Sequence, residues 1–83
     1  VLTCNLAPRG MRVNAIPSGP VPTPATAGFV SAEDYERRAQ GIPLRRNGRP
    51  EDVAKTVAFL ISDEAEFING AMLAIDGGII AAG

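Results

Sequence analysis

The sequence predicts an α/β fold built around a parallel βαβ unit. Two short apolar-rich runs, residues 11–16 and 71–75, each stop at a turn rich in proline or glycine. Short apolar-rich runs of this length suit buried strands. Between them lies a long connection carrying a helix of amphipathic spacing that begins at Pro50. Parallel strands need such a crossover, usually helical.

Each element follows from local signals. Residues 1–7 read as the end of a helix, stopped by Pro8 and by Gly10 in the following turn. Residues 11–16 form the first strand. The next stretch, residues 17–28, is dense in proline (Pro17, Pro20, Pro22, Pro24) and holds Gly19 and Gly28, a composition that opposes both helix and sheet interior. Ser31 reads as a helix N-cap with Asp34 three residues on, opening a short helix that runs to about Gln40 before Gly41 and Pro43 end it. A basic loop containing Arg45, Arg46 and Arg49 leads to Pro50, whose missing N–H suits the first helical position. Glu51 and Asp52 put negative charge near the positive end of that helix. Val53, Ala54, Val57, Ala58 and Ile61 then recur at helical spacing and predict one apolar face. Residues 63–69 form a connector turning at Gly70. Residues 71–75 form the second strand, closed by Asp76-Gly77-Gly78.

Composition narrows the function classes. With 83 residues the chain suits one small domain. Eight basic and nine acidic side chains give a formal net charge of −1, so no basic field marks a partner nucleic acid or an anionic membrane. Histidine is absent. These residues alone therefore cannot build a Ser-His-Asp triad, a Cys-His pair or an imidazole metal site. The lone Cys4 cannot close an internal disulfide, which is compatible with a reducing, cytoplasmic setting. No apolar run approaches the roughly 20 residues of a membrane span, and no signal peptide is visible. The chain opens on Val1 within an apolar pattern, which reads as truncation of a larger domain.

The stretch from Arg12 to Thr23 carries the functional signal. A short apolar run ends in Pro17-Ser18-Gly19-Pro20-Val21-Pro22-Thr23, and in open α/β sheets ligands sit beyond the carboxyl ends of strands, where such turns occur. Gly19 there is expected both to let a ligand approach the backbone and to adopt a positive φ. Thr23 is either a ligand hydroxyl or a turn residue.

Arg12-Val-Asn-Ala15, Gly19-Pro-Val-Pro-Thr23, Ile42-Pro-Leu44, Gly48-Arg-Pro-Glu-Asp-Val-Ala54 and Asn69-Gly70 followed by Asp76-Gly-Gly78 together resemble the C-terminal third of the short-chain dehydrogenase/reductases. The resemblance covers nearly the whole chain. It implies that residues 1–83 are the C-terminal segment of a single Rossmann-type domain, a doubly wound parallel sheet in which residues 11–16 and 71–75 are the last two strands. It implies NAD or NADP as cofactor, with Gly19, Val21 and Thr23 on the nicotinamide side: backbone groups of Val21 for the carboxamide and a hydroxyl from Thr23. It implies a substrate-lid-like arm over residues 24–41 and a small carbonyl or secondary alcohol as substrate. It also implies a homo-oligomer, dimer or tetramer, assembled through residues 51–62 and 71–75. The chain departs from the family in having Pro17-Ser18-Gly19 where Pro-Gly is usual, and its first helix is about one turn short.

The family's proton-transfer pair is Tyr-x-x-x-Lys, in which the lysine lowers the tyrosine pKa. The only tyrosine here is Tyr35, and Ala39 stands four residues on. No Gly-x-Gly-x-x-Gly fingerprint occurs either, so no catalytic residue is assigned within these 83 residues. The resulting expectation is part of an oxidoreductase that moves a hydride between NAD(P) and a carbonyl or secondary alcohol. The alternative is a noncatalytic fragment that acts only by association and is inactive alone. Among the remaining polar residues, Ser18 has no base to activate it. Asn14 is expected to bond neighbouring backbone, Cys4 to be a small buried helix residue, the loop arginines to be solvated or at a subunit contact, and Asp76 to belong to a turn rather than a metal site.

Overall fold

The computed structural model describes residues 2–83, so the part of the first predicted helix at Val1 lies outside the described residues. Helix α1 spans Leu2–Leu6 and passes into a 3-10 turn at Ala7–Arg9. Gly10 ends it in the left-handed region at φ 81°, as the stop signal predicted. Helix α2 spans Ala32–Ala39, with the Ser31 side chain accepting from the Asp34 N–H. Helix α3 spans Pro50–Leu60. The Asp52 carboxylate reaches back to accept the Arg49 N–H at 2.8 Å, satisfying a donor the helix leaves free at its start. A 3-10 turn at Asp63–Ala65 follows.

The two predicted strands require correction. Residues 11–16 and 71–75 run side by side in parallel, but the described residues contain no β-strand, only isolated bridges at Ala15 with Met72 and Ser18 with Ile75. The physical reason is legible in the hydrogen bonds. Ala15 makes both expected contacts, its N–H to Ala71 O at 2.9 Å and its C=O from Leu73 N at 3.0 Å. The next donor in the ladder falls to Pro17, which has no N–H, so it cannot meet the Leu73 carbonyl. Pairing then resumes, with Ile75 N to Pro17 O at 2.8 Å and Gly19 N to Ile75 O at 3.0 Å. At the other end the Asn14 side chain takes the Ala71 N–H at 2.9 Å, and the Asn69 side chain takes the Val13 N–H at 3.0 Å. Side-chain amides thus stand where ladder bonds would continue. Asn14 bonds neighbouring backbone, as expected.

The predicted apolar face of α3 forms, yet little of it is covered. Val57 and Phe59 are partly exposed and Ile61 is 76% exposed, while Leu60 is buried. Cys4, expected to be buried, is exposed. The buried apolar residues are Ala39, Ile42, Leu60 and Ala65. Arg12 ties the C-terminal end of α3 to the returning chain, donating to Leu60 O at 2.7 Å and to Ile68 O at 3.0 Å. The radius of gyration is 15.5 Å, against about 12 Å for a compact chain of this length. The accessible surface is 6152 Å², against about 4,700 Å² for a compact protein of this mass. An excess of this size leaves apolar side chains such as Phe29, Phe67 and Met72 open.

Candidate functional site

The turn after the first parallel segment is held rigidly from both sides. Its entry is fixed by the bonds of Pro17 and Gly19 to Ile75. A Cβ on Gly19 would lie 3.0 Å from the Cα of Asp76 and 3.1 Å from its Cβ, tighter than ordinary contact, so glycine lets the chain pass its own backbone without displacing it. Gly19 is not among the left-handed glycines, which corrects the positive-φ reading. Its need is space.

Val21 sits between two prolines, each with φ fixed near −65°. The Gly48 N–H donates to Pro20 O at 2.9 Å, and a Cβ on Gly48 would meet Val21 Cγ2 at 3.1 Å. The loop before α3 therefore braces the turn closely. Among the described residues, neither the N–H nor the C=O of Val21 has a hydrogen-bond partner. The result is one donor and one acceptor, preset in position and free.

Thr23 begins the arm. Its N–H is bound by Thr26 Oγ1 at 3.1 Å, and its C=O accepts from the Thr26 N–H and hydroxyl, both at 3.0 Å. Tyr35, on α2, donates its hydroxyl to Thr26 Oγ1 at 3.1 Å. The Tyr35 carbonyl accepts from Asn47 Nδ2 at 3.0 Å. The arm is thereby joined to the turn at one end and to the loop before α3 at the other. Asn47 Oδ1 is buried without a partner among the described residues.

Two cavities adjoin the turn, and Arg46 lines both. The larger, about 810 Å³, is lined mainly by apolar atoms, including Ile42, Leu44 and Ile75, and Gly19 and Pro20 form part of its wall. The smaller, about 450 Å³, takes Pro22 together with Tyr35, Arg46 and Asn47. Residues 42–44 lie across the closing turn, with Leu44 N donating to Gly77 O at 3.1 Å. Gly77, at φ 66°, would place a Cβ 2.7 Å from Ile42 Cγ2. The Asp76 carboxylate accepts from Ile80 N at 3.0 Å and Gly78 N at 2.9 Å, and these donors hold its pKa below the ordinary value. It serves the turn, as expected.

Of the loop arginines, Arg46 is paired with Asp52, Nη1 to Oδ2 at 2.9 Å. That hydrogen bond, followed by the Arg49 N–H, lowers the Asp52 pKa from 3.8 to about 2. The Arg45 guanidinium donates to Gln40 O. Among the described residues, no group of three or more His, Cys, Asp or Glu side chains could hold a metal ion. Among the described residues, no helix is long and apolar enough to cross a membrane.

Of the three residues singled out in the sequence, only Gly19 lines the larger cavity. Val21 presents its free backbone groups, and Thr23 is embedded in a hydroxyl cluster. Sequence reasoning missed Thr26 and Tyr35. Thr26 carried a signal, because two threonines three residues apart around Pro24 suit a side-chain-bonded turn. Tyr35 carried none, since its link to Thr26 depends on how α2 folds back.

Residues 1–80 match a family model described as enoyl-(acyl carrier protein) reductase. Among curated relatives, glucose 1-dehydrogenase 2 of Bacillus subtilis is 38% identical over 78 residues, covering 94% of this chain and 30% of its own length. Cis-4-hydroxycyclohexanecarboxylate dehydrogenase of Sinomonas cyclohexanicum is 47% identical over 75 residues, covering 90% of this chain and 30% of the relative. The 3-oxoacyl-(acyl-carrier-protein) reductase of Thermotoga maritima is 41% identical over 75 residues, with the same 90% and 30% coverage. The chain thus spans about 30% of the length of these relatives. A short chain dehydrogenase family protein of Francisella tularensis superposes with a TM-score of 0.83 at 31% identity, over 96% of this chain and 37% of that one.

Proposed function

The chain belongs to the short-chain dehydrogenase/reductase family, and on that premise we propose that it forms the nicotinamide-side wall of an NAD(P)-dependent oxidoreductase. The carrying observation is the Val21 backbone: a fixed, unengaged N–H and C=O beside a glycine that lines the main cavity. A carboxamide needs one acceptor for its NH₂ and one donor for its oxygen, and Val21 offers both. Because the groups are set before the ligand arrives, binding spends little on reorganisation.

The cofactor, when bound, exchanges a hydride with a small-molecule carbonyl or secondary alcohol. Val21 orients its carboxamide end, and Thr23 offers a hydroxyl nearby. Residues 24–41 act as the arm over the substrate side. The residues between 11 and 16 and between 71 and 75 take the place of the last two strands of the family's parallel sheet, completed by neighbours. The proton-transfer pair comes from elsewhere in the enzyme, because Tyr35 has no lysine four residues on. The reading extends to a cytoplasmic homo-oligomer contacting through residues 51–62 and 71–75.

The test deletes the donor without deleting the residue. In the full-length protein, Val21→Pro removes the N–H, whereas Val21→Ala keeps it. Val21→Pro is expected to weaken NADH or NADPH binding by about fivefold, the scale of one hydrogen bond, with Val21→Ala close to wild type. Equal binding by both variants and by Thr23→Val would overturn the reading. A second reading, a noncatalytic piece acting by association, is favoured by the exposure of Ile61, Met72 and Phe67. It predicts self-association of the 83-residue chain in sedimentation and no dehydrogenase activity in any oligomer.

A further inference from the structure

Three hydroxyls converge where the turn runs into the arm. Thr26 Oγ1 lies 3.1 Å from the Thr23 amide nitrogen, 3.0 Å from the Thr23 carbonyl oxygen and 3.1 Å from the Tyr35 hydroxyl. A threonine hydroxyl has one proton and two acceptor lone pairs. The proton goes to the Thr23 carbonyl, and the lone pairs take the Thr23 N–H and the Tyr35 O–H. That exhausts Thr26. The Thr23 hydroxyl keeps only a long 3.5 Å contact to the same oxygen, well beyond the roughly 2.5–3.0 Å of a good O–H···O bond, and so stays available to a ligand.

We infer that Thr26 is a positioning residue for the cofactor-side turn, and that Tyr35 links it to the arm. Resting on the reading of Val21 and Thr23 as nicotinamide contacts, this assigns Thr26 a specific task. It binds both backbone groups of Thr23, fixing the residue's orientation while leaving its hydroxyl to the ligand. The same oxygen receives the only hydroxyl of α2's Tyr35, and the Thr26 carbonyl accepts from the Phe29 and Val30 N–H groups at 3.0 and 3.2 Å. The arm and the turn therefore share one junction. Loss of the Tyr35 bond loosens Thr26, and loss of Thr26 loosens Thr23. Cofactor binding and ordering of residues 24–30 are consequently coupled.

The coupling is read in the full-length protein by cofactor fluorescence and by amide hydrogen exchange at Thr23 and Val30, with four variants. Thr26→Val keeps the shape and deletes the hydroxyl; it is expected to weaken NADH or NADPH binding about fivefold. It should also abolish the slowing of Thr23 and Val30 exchange that cofactor produces in the wild type. Thr26→Ser restores the hydroxyl and is expected to rescue both readouts. Tyr35→Phe is expected to speed exchange at Val30 with a loss of affinity of about twofold. Thr23→Val calibrates the cofactor contact. If Thr23→Val weakens binding while Thr26→Val and Tyr35→Phe change neither readout, the positioning role is overturned and the cofactor reading stands. If Thr26→Ser is as weak as Thr26→Val, packing rather than the hydroxyl matters, and the inference is overturned. If none of the four changes affinity, the cofactor reading fails and this inference with it.

Discussion

Gly19 and Asp76 approach so closely that a Cβ on the glycine would stand 3.0 Å from the aspartate's Cα. This contact brings the candidate cofactor turn against the closing turn of residues 76–78, and it is made of backbone that cannot swing aside. Gly19→Ala is expected to destabilise the protein by about 1–3 kcal/mol, the usual range for overpacking a tight site. Gly28→Ala, where a Cβ meets nothing within 4 Å, is the control and should be neutral or slightly stabilising. Denaturant midpoints of the two variants decide it, and equal midpoints would refute the contact's importance.

Pro17 interrupts the parallel pairing by withholding one N–H. Pro17→Ala supplies a donor for the Leu73 carbonyl and should join the two bridges into one ladder. The new amide at position 17 is expected to exchange slowly with solvent deuterium. Net stability should change by less than about 1 kcal/mol, because the hydrogen bond gained offsets the extra freedom of the unfolded chain. A fast-exchanging amide at this position would show that something other than the missing donor breaks the pairing.

Asp52 joins the basic loop to the start of α3. Its pKa is lowered from 3.8 to about 2, first by the Arg46 hydrogen bond and then by the Arg49 N–H. A carboxyl whose folded pKa lies below its unfolded value stabilises the fold above the unfolded pKa, and that stabilisation is lost as pH falls through the folded one. Stability should therefore decline from about pH 4 to about pH 2, following the range over which Asp52 titrates. Asp52→Asn should flatten the decline. Asp76 is lowered in the same direction, so some slope remains in the variant. An Asp52→Asn profile parallel to wild type would exclude this carboxylate as the source.

One wall does not make a dinucleotide site. The accessible surface of 6152 Å² exceeds that of a compact protein of this mass by about 1,450 Å². The 83-residue chain by itself is accordingly expected to bind neither NADH nor NADPH measurably. Calorimetry showing saturation would overturn this.

Local chemistry was readable wherever one residue type served one backbone need. Ser31 capping α2, Pro50 opening α3 and Gly10 stopping the first helical segment all follow from short-range rules, and each is where the sequence placed it. The motifs from Arg12 to Gly78 identified the family. The site was only partly legible. Gly19 and Val21 were visible as turn residues, but the free donor and acceptor of Val21 depend on Gly48 arriving at Pro20 from nearly thirty residues away.

The sequence by itself determined the helix starts and the turns, because capping and φ restriction act within a few residues. It pointed to the parallel direction of residues 11–16 and 71–75 through the long helical crossover between them. Only the tertiary structure decided that the pairing stops at two bridges, that the α3 face stays open at Ile61, and that Tyr35 meets Thr26. Those outcomes depend on which donor faces which acceptor across a fold. Pro17 illustrates the division: its missing N–H was written in the sequence, but the unmatched carbonyl of Leu73 had to be found in space.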